Sequence, residues 1–311
     1  MLAPEKKFAV EAERDDAQVM LKASLEARLR QVLGEADQGD LLQLAMRDAA
    51  LGAGKRMRPL LMLLLARDLG HGALGMLDSA CAVELVHAAS LILDDMPCMD
   101  NAMLRRGRPT VHVRYGEDVA ILAAISLLSR AFELVSAAAG IGANARAQMT
   151  SALAGAIGSE GLAKGQFQDL RVSTGARSTD AIAVTNKLKT GMLFDVAVNM
   201  AIVMTEADEA VALPLRRFAR AAGQAFQIRD DLQDGSDSAV TGKDVGKDIG
   251  KATLVATLGV ERARQQLGAL LEEAERHLTE ALGERNDTGV FIRTLFAEQG
   301  NRMNFIAQAV G

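Results

Sequence analysis

Apolar residues recur along most of this chain at helical spacing, and the alternation that marks a β-strand is scarce. The long segments are rich in Ala, Leu, Met, Glu, Arg and Gln, whereas β-branched and aromatic residues are thinly spread. The pattern therefore predicts an all-α protein. The predicted helices lie near residues 8–33, 40–51, 57–69, 78–98, 117–139, 145–171, 179–204, 207–233, 260–282 and 287–308.

These helices are expected to form one large domain that covers residues 1–311. The chain is long for a single domain, but no Ser/Pro/Gly-rich linker and no shift in composition marks a boundary. Hydrophobic residues make up 49% of the chain, which is ample for a core. The segments 117–139 and 190–204 are apolar on most faces, as is typical of helices inside a bundle or against a partner subunit.

Composition argues against several other kinds of protein. The net charge of −5, with one Tyr and no Trp, opposes non-specific binding of nucleic acid and leaves little surface for base stacking. The longest uninterrupted apolar stretches, 59–66 and 119–129, are too short to span a bilayer, so no integral membrane segment is predicted. The first residues are polar where a signal peptide would be apolar, so a cytoplasmic location is expected. Cys81 and Cys98 lack metal-ligand spacing and are expected to be reduced thiols.

The most informative motif is LDDMPCMD at 93–100, where three aspartates end an otherwise apolar helix. A buried carboxylate needs a counter-charge, and Mg²⁺ binds carboxylate oxygens while keeping positions for water and phosphate. On an ideal helix Asp100 would point about 120° away from Asp94, so the helix must break if these two are to converge with Asp95. Pro97 supplies the break, because it lacks a backbone donor. For this motif alone, an exposed acidic helix end is the alternative.

A second acidic cluster lies in the sequence FQIRDDLQD at 226–234. Asp230 and Asp234 are one turn apart on a shared helix face and Asp231 flanks them, so a cation is expected here too. Two such clusters, facing each other across a cavity, could hold a diphosphate through bridging Mg²⁺ ions. Either cluster alone could be a chance acidic helix end, but the two together favour a magnesium-dependent diphosphate site.

Basic residues in two loops are candidates for binding diphosphate. In GKRMRP at 54–59, glycine permits close backbone approach, and lysine and arginine offer a point charge and a planar fork to phosphate. These candidates are Lys55 and Arg58. Arg105 and Arg106 follow the first acidic cluster and could each bind a different diphosphate. An exposed basic turn is the alternative for this arginine pair.

Two helical segments contain further candidates. His87 lies two turns before Asp94 on nearly the same helix face, where a satisfied core histidine is the alternative. Lys189 lies within an apolar helix and needs an anion as its partner. Beside it, Thr190 could direct a carbonyl or hydroxyl into the cavity, where it would stabilise positive charge.

A glycine-rich segment with regularly spaced lysines follows the second acidic cluster. In GKDVGKDIGK at 242–251, three glycines would each cost about 1 kcal/mol in a helix, so a mobile loop is predicted. Its lysines, which include Lys243 and Lys251, can close over phosphate and exclude water.

Taken in order, these motifs are similar to those of the trans-isoprenyl diphosphate synthase family, most closely its bacterial carotenoid-type geranylgeranyl diphosphate synthases. The resemblance covers nearly the whole chain, with motifs from Lys55 to Lys251. It implies an isoprenoid synthase fold, in which a single-domain bundle of about ten or more helices surrounds a central apolar cavity. It also implies a homodimer and the head-to-tail condensation of isopentenyl diphosphate with an allylic diphosphate.

The resemblance implies a role for each motif residue. The first aspartate-rich motif would be Asp94, Asp95 and Asp100. The second would be Asp230, Asp231 and Asp234, and the two motifs together would bind three Mg²⁺ ions. Isopentenyl diphosphate would be bound by Lys55, Arg58, His87 and Arg106. The allylic diphosphate would be held by Arg105, Lys189, Lys243 and Lys251. The developing carbocation would be faced by Thr190 and Gln227. A further position on the cavity wall is matched by Gln166 and Asp169.

Product length is expected to depend on side chains below the first aspartates. Ser90 lies one turn from Asp94 on the same face with Ala89 beside it, and both are small, so a growing tail can pass them. Related enzymes that stop at fifteen carbons tend to carry an aromatic residue there. The geranylgeranyl diphosphate synthase subgroup that this chain resembles instead has a first aspartate motif expanded by two residues, as found here. The expected product is therefore geranylgeranyl diphosphate, C20.

Three alternative functions are considered. A farnesyl or longer-chain diphosphate synthase would share the site and differ only in the depth of its cavity. A non-catalytic regulatory subunit of a prenyl synthase would be expected to lack an aspartate or a basic ligand, yet both aspartate triads and all the basic positions are present. A terpene cyclase needs an aromatic-rich pocket, which the 3% aromatic content disfavours.

Overall fold

The computed structural model describes residues 4–72, 75–171, 184–185, 187–234, 254–284 and 286–296. Regular structure within these residues is almost entirely helical, so the predicted fold class is confirmed. The helices are α1 (Pro4–Leu33), α2 (Leu41–Leu51), α3 (Met57–Asp68), α4 (Gly75–Asp94), α5 (Val111–Tyr115), α6 (Glu117–Ser136), α7 (Ala143–Ile157), α8 (Leu162–Arg171), the π-helix π1 (Lys187–Gly191), α9 (Met192–Met204), α10 (Glu209–Asp234), α11 (Leu254–Leu258), α12 (Val260–Leu282) and α13 (287–296).

Three helices lie at the centre of the bundle. Helix α3 packs against α4 and α9, and α9 also packs against α7 and α10. Every residue from Pro59 to Ala66 in α3 is buried. Because α3 and α9 are covered on nearly all sides, they need apolar residues around most of their circumference rather than along one stripe. The strongly amphipathic pair α10 and α12 packs together farther along the chain.

A short hairpin follows the first acidic cluster. Its strands, β1 (Leu104–Arg105) and β2 (Arg108–Pro109), pair antiparallel, and Gly107 turns the chain at φ 74°. The Thr110 hydroxyl donates to the carbonyl of Ala102 at 2.8 Å and ties the base of the hairpin together. Sequence analysis did not predict this hairpin, because strands of two residues have no alternating pattern.

One predicted helix is wrong in its extent. The segment 145–171, predicted as a single helix, forms α7 and α8, which are separated by a turn at 158–161. A Cβ on Gly161 would overlap the carbonyl of Ala156, so this turn needs a glycine. Parts of the predicted helices 179–204 and 287–308 lie outside the described residues.

Two helices are long and apolar enough to cross a bilayer by length and composition alone, which the count of uninterrupted apolar runs did not predict. In α4, 67% of the most apolar window is buried inside the protein, and a core helix passes the same test. In α6 the buried share is only 39%, and Ile121, Leu122 and Ile125 are 44–54% exposed. Helix α6 therefore carries an apolar face that this chain does not cover within its described residues.

Candidate active site

Helix α4 carries several of the predicted site residues on one face. Most of its side chains are buried, whereas His87, Ser90, Leu91 and Asp94 are partly exposed at intervals of three or four residues. This spacing aligns them along one side of the helix. Ala89, by contrast, is fully buried in the hydrophobic core. The partly exposed face therefore leads from His87 past Ser90 to the first acidic cluster.

Helix α4 ends at Asp94, and a tight turn carries the chain back to Asp100. The Asp100 amide donates to the carbonyl of Asp94 at 2.9 Å, and the Asn101 amide donates to the carbonyl of Met96 at 3.0 Å. Asn101 adopts a left-handed conformation at φ 48°, as asparagine tolerates better than most residues. The helix stops shortly before Pro97, which cannot donate a helical hydrogen bond. The predicted break between Asp94 and Asp100 is confirmed.

Arg105, on β1, binds Asp95 with two hydrogen bonds. Its Nε and Nη2 donate to the two carboxylate oxygens of Asp95, each at 2.7 Å, and Asp95 is only 3% exposed. Burial lowers the pKa of Arg105, but Asp95, with Asp94 and Asp100 behind it, raises the pKa more, so the guanidinium is firmly charged. The hairpin is thereby fastened to the first acidic cluster.

The first cluster also attracts Lys189 from π1. Burial raises the pKa of the Asp94 carboxyl to about 6, with Lys189 opposing this shift and Asp100 adding to it. Burial lowers the pKa of Lys189, but Asp94 and then Asp169 raise it more, so its pKa is raised overall. Lys189 Nζ donates to Asp169 Oδ2 at 2.8 Å. The site therefore holds two half-buried ionisable groups of opposite charge, Asp94 and Lys189, on elements far apart in the sequence.

The position of π1 depends on a close approach of α8. A Cβ on Gly165 would lie 2.7 Å from the backbone nitrogen of Lys189 and 2.9 Å from the carbonyl carbon of Leu188, which is too close for either. From the other side, Gly223 of α10 approaches Gly191. Two helices thus pack directly on the backbone that carries Lys189 and Thr190. π-Helical turns are often found at functional sites.

A basic group lies around the middle of α4. Burial lowers the pKa of His87 well below its usual 6.5, and the charges of Arg58 and Arg106 lower it further. Burial also lowers the pKa of Arg58, with Glu84 and Asp230 opposing the shift. The neutral imidazole of His87 therefore lies within the field of several arginines, which is an arrangement suited to an anionic ligand.

The loop before α3 completes this basic group. Lys55 lies exposed on the loop. Arg106, from the turn of the hairpin, donates to the carbonyl of Ala53 in the same loop. The structure thus brings the loop, the hairpin and α4 together, as the predicted diphosphate site requires.

The second acidic cluster is held by its own helix. Gln227 Nε2 donates to Asp231 Oδ1 at 2.8 Å, one turn apart on α10, and Arg229 Nη2 contacts Asp230 Oδ1 at 3.1 Å. Asp230 is also close enough to Arg58 to raise its pKa. The start of the second cluster therefore faces the basic group of α3 and α4.

Four of the predicted site residues lie wholly or partly outside the described part of the chain. Lys243 and Lys251 belong to the segment 235–253, and the side chains of Thr190 and Asp234 are not among those described. Within the described ranges, the first acidic cluster included, no three His, Cys, Asp or Glu side chains are arranged closely enough to form a complete metal site.

Asp94 and Asp100 nevertheless provide the right ligands for Mg²⁺. Both are carboxylates, the donors that this hard cation prefers. Asp100 raises the electrostatic cost of ionising Asp94, and the pKa of about 6 at Asp94 reflects burial that an added cation would offset. The residues of this cluster therefore fit a magnesium ion.

Sequence analysis missed three charged residues of this region: Arg56, Glu84 and Arg229. Glu84 is a charged residue within the apolar stretch of α4, three positions before His87, and that placement was the available signal. The other two are ordinary members of charged motifs in the sequence, and both are 5% exposed in the structure. Their burial depends on the packing of helices and has no local signature.

Comparisons with known proteins identify relatives of this chain. The model of the family described as polyprenyl synthetase matches residues 40–286. A geranylgeranyl diphosphate synthase from Pantoea ananas is 48% identical over 283 residues, covering 90% of this chain and 93% of its own. One from Pseudescherichia vulneris is 48% identical over 262 residues, covering 84% and 85%. A geranyltransferase from Helicobacter pylori, solved with magnesium and isoprenyl diphosphate, has a TM-score of 0.79 at 27% identity and covers 98% of this chain and 99% of its own.

Proposed function

This chain belongs to the polyprenyl synthetase family, and we propose that it condenses isopentenyl diphosphate head to tail with an allylic diphosphate to give geranylgeranyl diphosphate. The observation that supports this most directly is the meeting of two kinds of group on α4. The first acidic cluster lies at its end with Arg105 and Lys189, and the basic group around His87 lies two turns earlier. One part suits a metal-bound diphosphate and the other a second diphosphate.

The metal ligands proposed are the aspartates of the two clusters, and the cofactor proposed is Mg²⁺, three ions per site. In the first cluster, the charge of Asp100 raises the pKa of Asp94 more than the charge of Asp95 does. Asp95 accepts from Arg105 through both carboxylate oxygens, so it joins the metal set only through oxygens shared with Arg105, whereas Asp231 accepts from Gln227 through Oδ1. When bound, Mg²⁺ would neutralise the charge that builds up on the departing diphosphate.

The substrate ligands proposed follow the two halves of the site. The half for isopentenyl diphosphate consists of Lys55, Arg58, His87 and Arg106. The half for the allylic diphosphate consists of Arg105 and Lys189, together with Lys243 and Lys251. Arg105 is oriented by Asp95, and Lys189 by Asp169, so both cations are held in place before substrate arrives.

The condensation proceeds by ionisation of the allylic diphosphate. Arg105 and Lys189 stabilise the leaving diphosphate, and the double bond of isopentenyl diphosphate attacks the allylic cation. The released diphosphate takes the proton, so no dedicated side-chain base is needed. We assign Thr190 and Gln227 to face the cation, and the apolar helices around the cavity exclude the water that would quench it.

The product length proposed is C20, because the partly exposed face of α4 has a small residue below the aspartates. Ser90 lies between His87 and Asp94 on that face, and its hydroxyl is turned back to the carbonyl of His87 at 2.9 Å. Ala89, the other residue proposed for the wall, is buried in the core. We assign the larger influence on chain length to Ser90.

The assembly proposed is a homodimer of single-domain subunits, residues 1–311, in the cytoplasm. Helix α6 supports this, because Ile121, Leu122 and Ile125 form an apolar face on one side of it. A second copy of the same helix would bury that face and leave the site on α4 open to substrate.

The experiment that tests this function uses the purified full chain. It is incubated with labelled isopentenyl diphosphate and each allylic starter, with Mg²⁺ or with excess chelator, and the products are resolved by length. We expect a C20 product that disappears with chelator. A C15 product, or one of C30 and above, would retain the reaction and refute the chain length. No product from any starter would instead favour a non-catalytic subunit.

A further inference from the structure

A buried ion pair joins the loop before α3 to the middle of α4. Arg56 Nη1 donates to Glu84 Oε1 at 2.5 Å, and the two side chains are 4% and 7% exposed. Arg56 Nη2 donates to the carbonyl of Gly52 at 2.7 Å. One guanidinium therefore binds both the helix and the start of its own loop.

The conformation of Arg56 makes this pair structurally demanding. Arg56 is the residue that caps α3, and it adopts a left-handed conformation at φ 53°. A residue with a long side chain enters that region only when its surroundings hold it there. Glu84 and the Gly52 carbonyl provide the contacts that do so. The pair thus fixes the path of the loop from Gly52 to the first turn of α3.

The same loop carries groups that the proposed function assigns to isopentenyl diphosphate. Lys55 and Arg58 flank Arg56 in the sequence, and Arg106 donates to the carbonyl of Ala53. A Cβ on Gly54 would lie 2.9 Å from Arg106 Nη1 and 3.3 Å from Arg56 Nη1, so the loop fits closely between the two arginines. A shift of the loop would move Lys55 directly, and would disturb Arg58 through the first turn of α3 and Arg106 through its contact with Ala53.

Glu84 also supplies negative charge where several cations meet. Burial and Arg105 lower the pKa of Arg106, and Glu84 opposes this; Glu84 likewise opposes the effect of burial on the pKa of Arg58. Its charge therefore stabilises the basic group before a diphosphate binds. Glu84 lies ten residues before Asp94, about 15 Å along the helix, so it is remote from the first acidic cluster.

From this geometry we propose that Glu84 is a positioning residue for the second substrate: through Arg56 it holds the loop at 52–56 so that Lys55, Arg58 and Arg106 bind the diphosphate of isopentenyl diphosphate. The inference rests on the proposed function. This role of Glu84 differs from a purely structural role in one respect. Because Glu84 is close to one half of the site and far from the other, its loss affects one substrate selectively.

The test compares steady-state kinetics of the full chain and its Glu84→Gln variant, which keeps the volume of the side chain and removes its charge. We expect KM for isopentenyl diphosphate to rise about tenfold, with kcat and KM for the allylic diphosphate within about twofold of the parent. An unchanged KM for isopentenyl diphosphate, or an equal rise for both substrates, would overturn the proposal.

A second variant keeps the test decisive if Glu84→Gln does not fold. Arg56→Lys retains the positive charge but lacks the fork that reaches both Glu84 and the Gly52 carbonyl, so the same selective rise is expected. If Glu84 acts through Arg56, the variant that combines Glu84→Gln with Arg56→Lys should have a KM for isopentenyl diphosphate no higher than that of the more impaired single variant. Additive effects would contradict that route.

The matched control is Glu275→Gln. Glu275 accepts a hydrogen bond from Arg293 at 2.6 Å, so Glu275→Gln removes the same kind of ion pair as Glu84→Gln. Both side chains of this control pair, however, are 54% exposed. Neither KM should change. The unsubstituted chain, assayed in parallel, separates the two claims. If it condenses the substrates and Glu84→Gln behaves like the control, this inference alone fails; if it does not condense them, the proposed function fails as well.

Discussion

At the scale of single residues, His87 differs from its neighbours because it is the neutral member of a cationic group. Burial, and then Arg58 and Arg106, lower its pKa well below 6.5. At neutral pH the imidazole therefore offers one N–H donor and adds no charge to the repulsion among the arginines. Such a group can bind diphosphate as a donor without destabilising the empty site.

This lowered pKa predicts an acid-sensitive contribution to stability. Because the unfolded chain takes up a proton on this histidine near pH 6.5 and the folded chain does not, the contribution is present above about pH 6.5 and is lost as the pH falls. Without ligand, we expect the free energy of unfolding to fall by up to about 1.4 kcal/mol per pH unit from this residue as the pH falls below 6.5. Urea denaturation at pH values below 6.5 should give a free energy of unfolding that changes less with pH in His87→Gln than in the parent.

The control for this measurement is His277→Gln, on α12, where the histidine contacts Glu273 and Glu280. The fall in stability that is assigned to His87 should persist in this variant. An unchanged slope in His87→Gln would contradict the neutral state assigned to His87.

Ser90 carries the prediction on chain length. The Ser90→Phe variant should place a ring on the open face of α4 and shift the main product from C20 to C15. Ser90→Ala removes the hydroxyl without adding bulk and should leave the product at C20. Chromatography of the labelled products distinguishes the two. A C20 product from Ser90→Phe would show that the growing tail passes elsewhere.

At the scale of elements, the contact between α8 and π1 decides where Lys189 lies. Gly165 permits the backbones to approach more closely than any other residue would, and Lys189 reaches Asp169 on the same α8 helix. The two elements are therefore joined by a backbone contact and an ion pair. Neither contact could be predicted from local periodicity, because Gly165 lies inside the predicted helix 145–171 and the pattern gives no sign of the neighbour that packs on it.

A glycine pair tests this contact. Gly165→Ala forces the helices apart and should destabilise the protein by roughly 1–3 kcal/mol, with a loss of about tenfold in kcat/KM for the allylic substrate as Lys189 moves. Gly155→Ala, in α7, meets nothing within 4 Å and should raise stability by roughly 0.5–1 kcal/mol without affecting kinetics. Thermal denaturation and initial rates measure both. Equal effects at the two positions would contradict the close approach.

At the scale of the whole molecule, α6 is the element that the described chain leaves incomplete. It is apolar enough to lie in a core, yet its face with Ile121, Leu122 and Ile125 is exposed. An apolar patch of this kind on an otherwise well-packed bundle is typical of a subunit contact.

The corresponding prediction concerns the oligomeric state. Ile125→Lys should bury a charge in the proposed dimer contact and raise the dimer dissociation constant at least about tenfold. Leu213→Lys is the control, because Leu213 is 43% exposed on α10, away from that face. Size-exclusion chromatography with light scattering measures the mass of each variant. A parent chain that runs as a monomer, or an Ile125→Lys variant that stays dimeric, would refute the assignment to α6.

Much of the fold and part of the site could be predicted from local patterns. Helices α3 and α10 follow from runs of helix-forming residues, and the run of α3 lies between Gly54 and Gly70. The turn from Asp94 to Asp100 followed from the geometry of a helix and from Pro97. The division of 145–171 into α7 and α8 was not predicted, because it depends on how tightly Gly161 lets the chain fold.

By itself, the sequence determined the helical class, the two aspartate clusters and the basic motifs, because each depends on residues within a few turns of one another. Only the tertiary structure decided which partners these groups have. Arg105, on the hairpin, binds Asp95 at the end of α4; Lys189 binds Asp169, twenty positions earlier; and Glu84 binds Arg56 from the loop before α3. Such contacts depend on the packing of helices distant in sequence, where burial makes every charge require a partner.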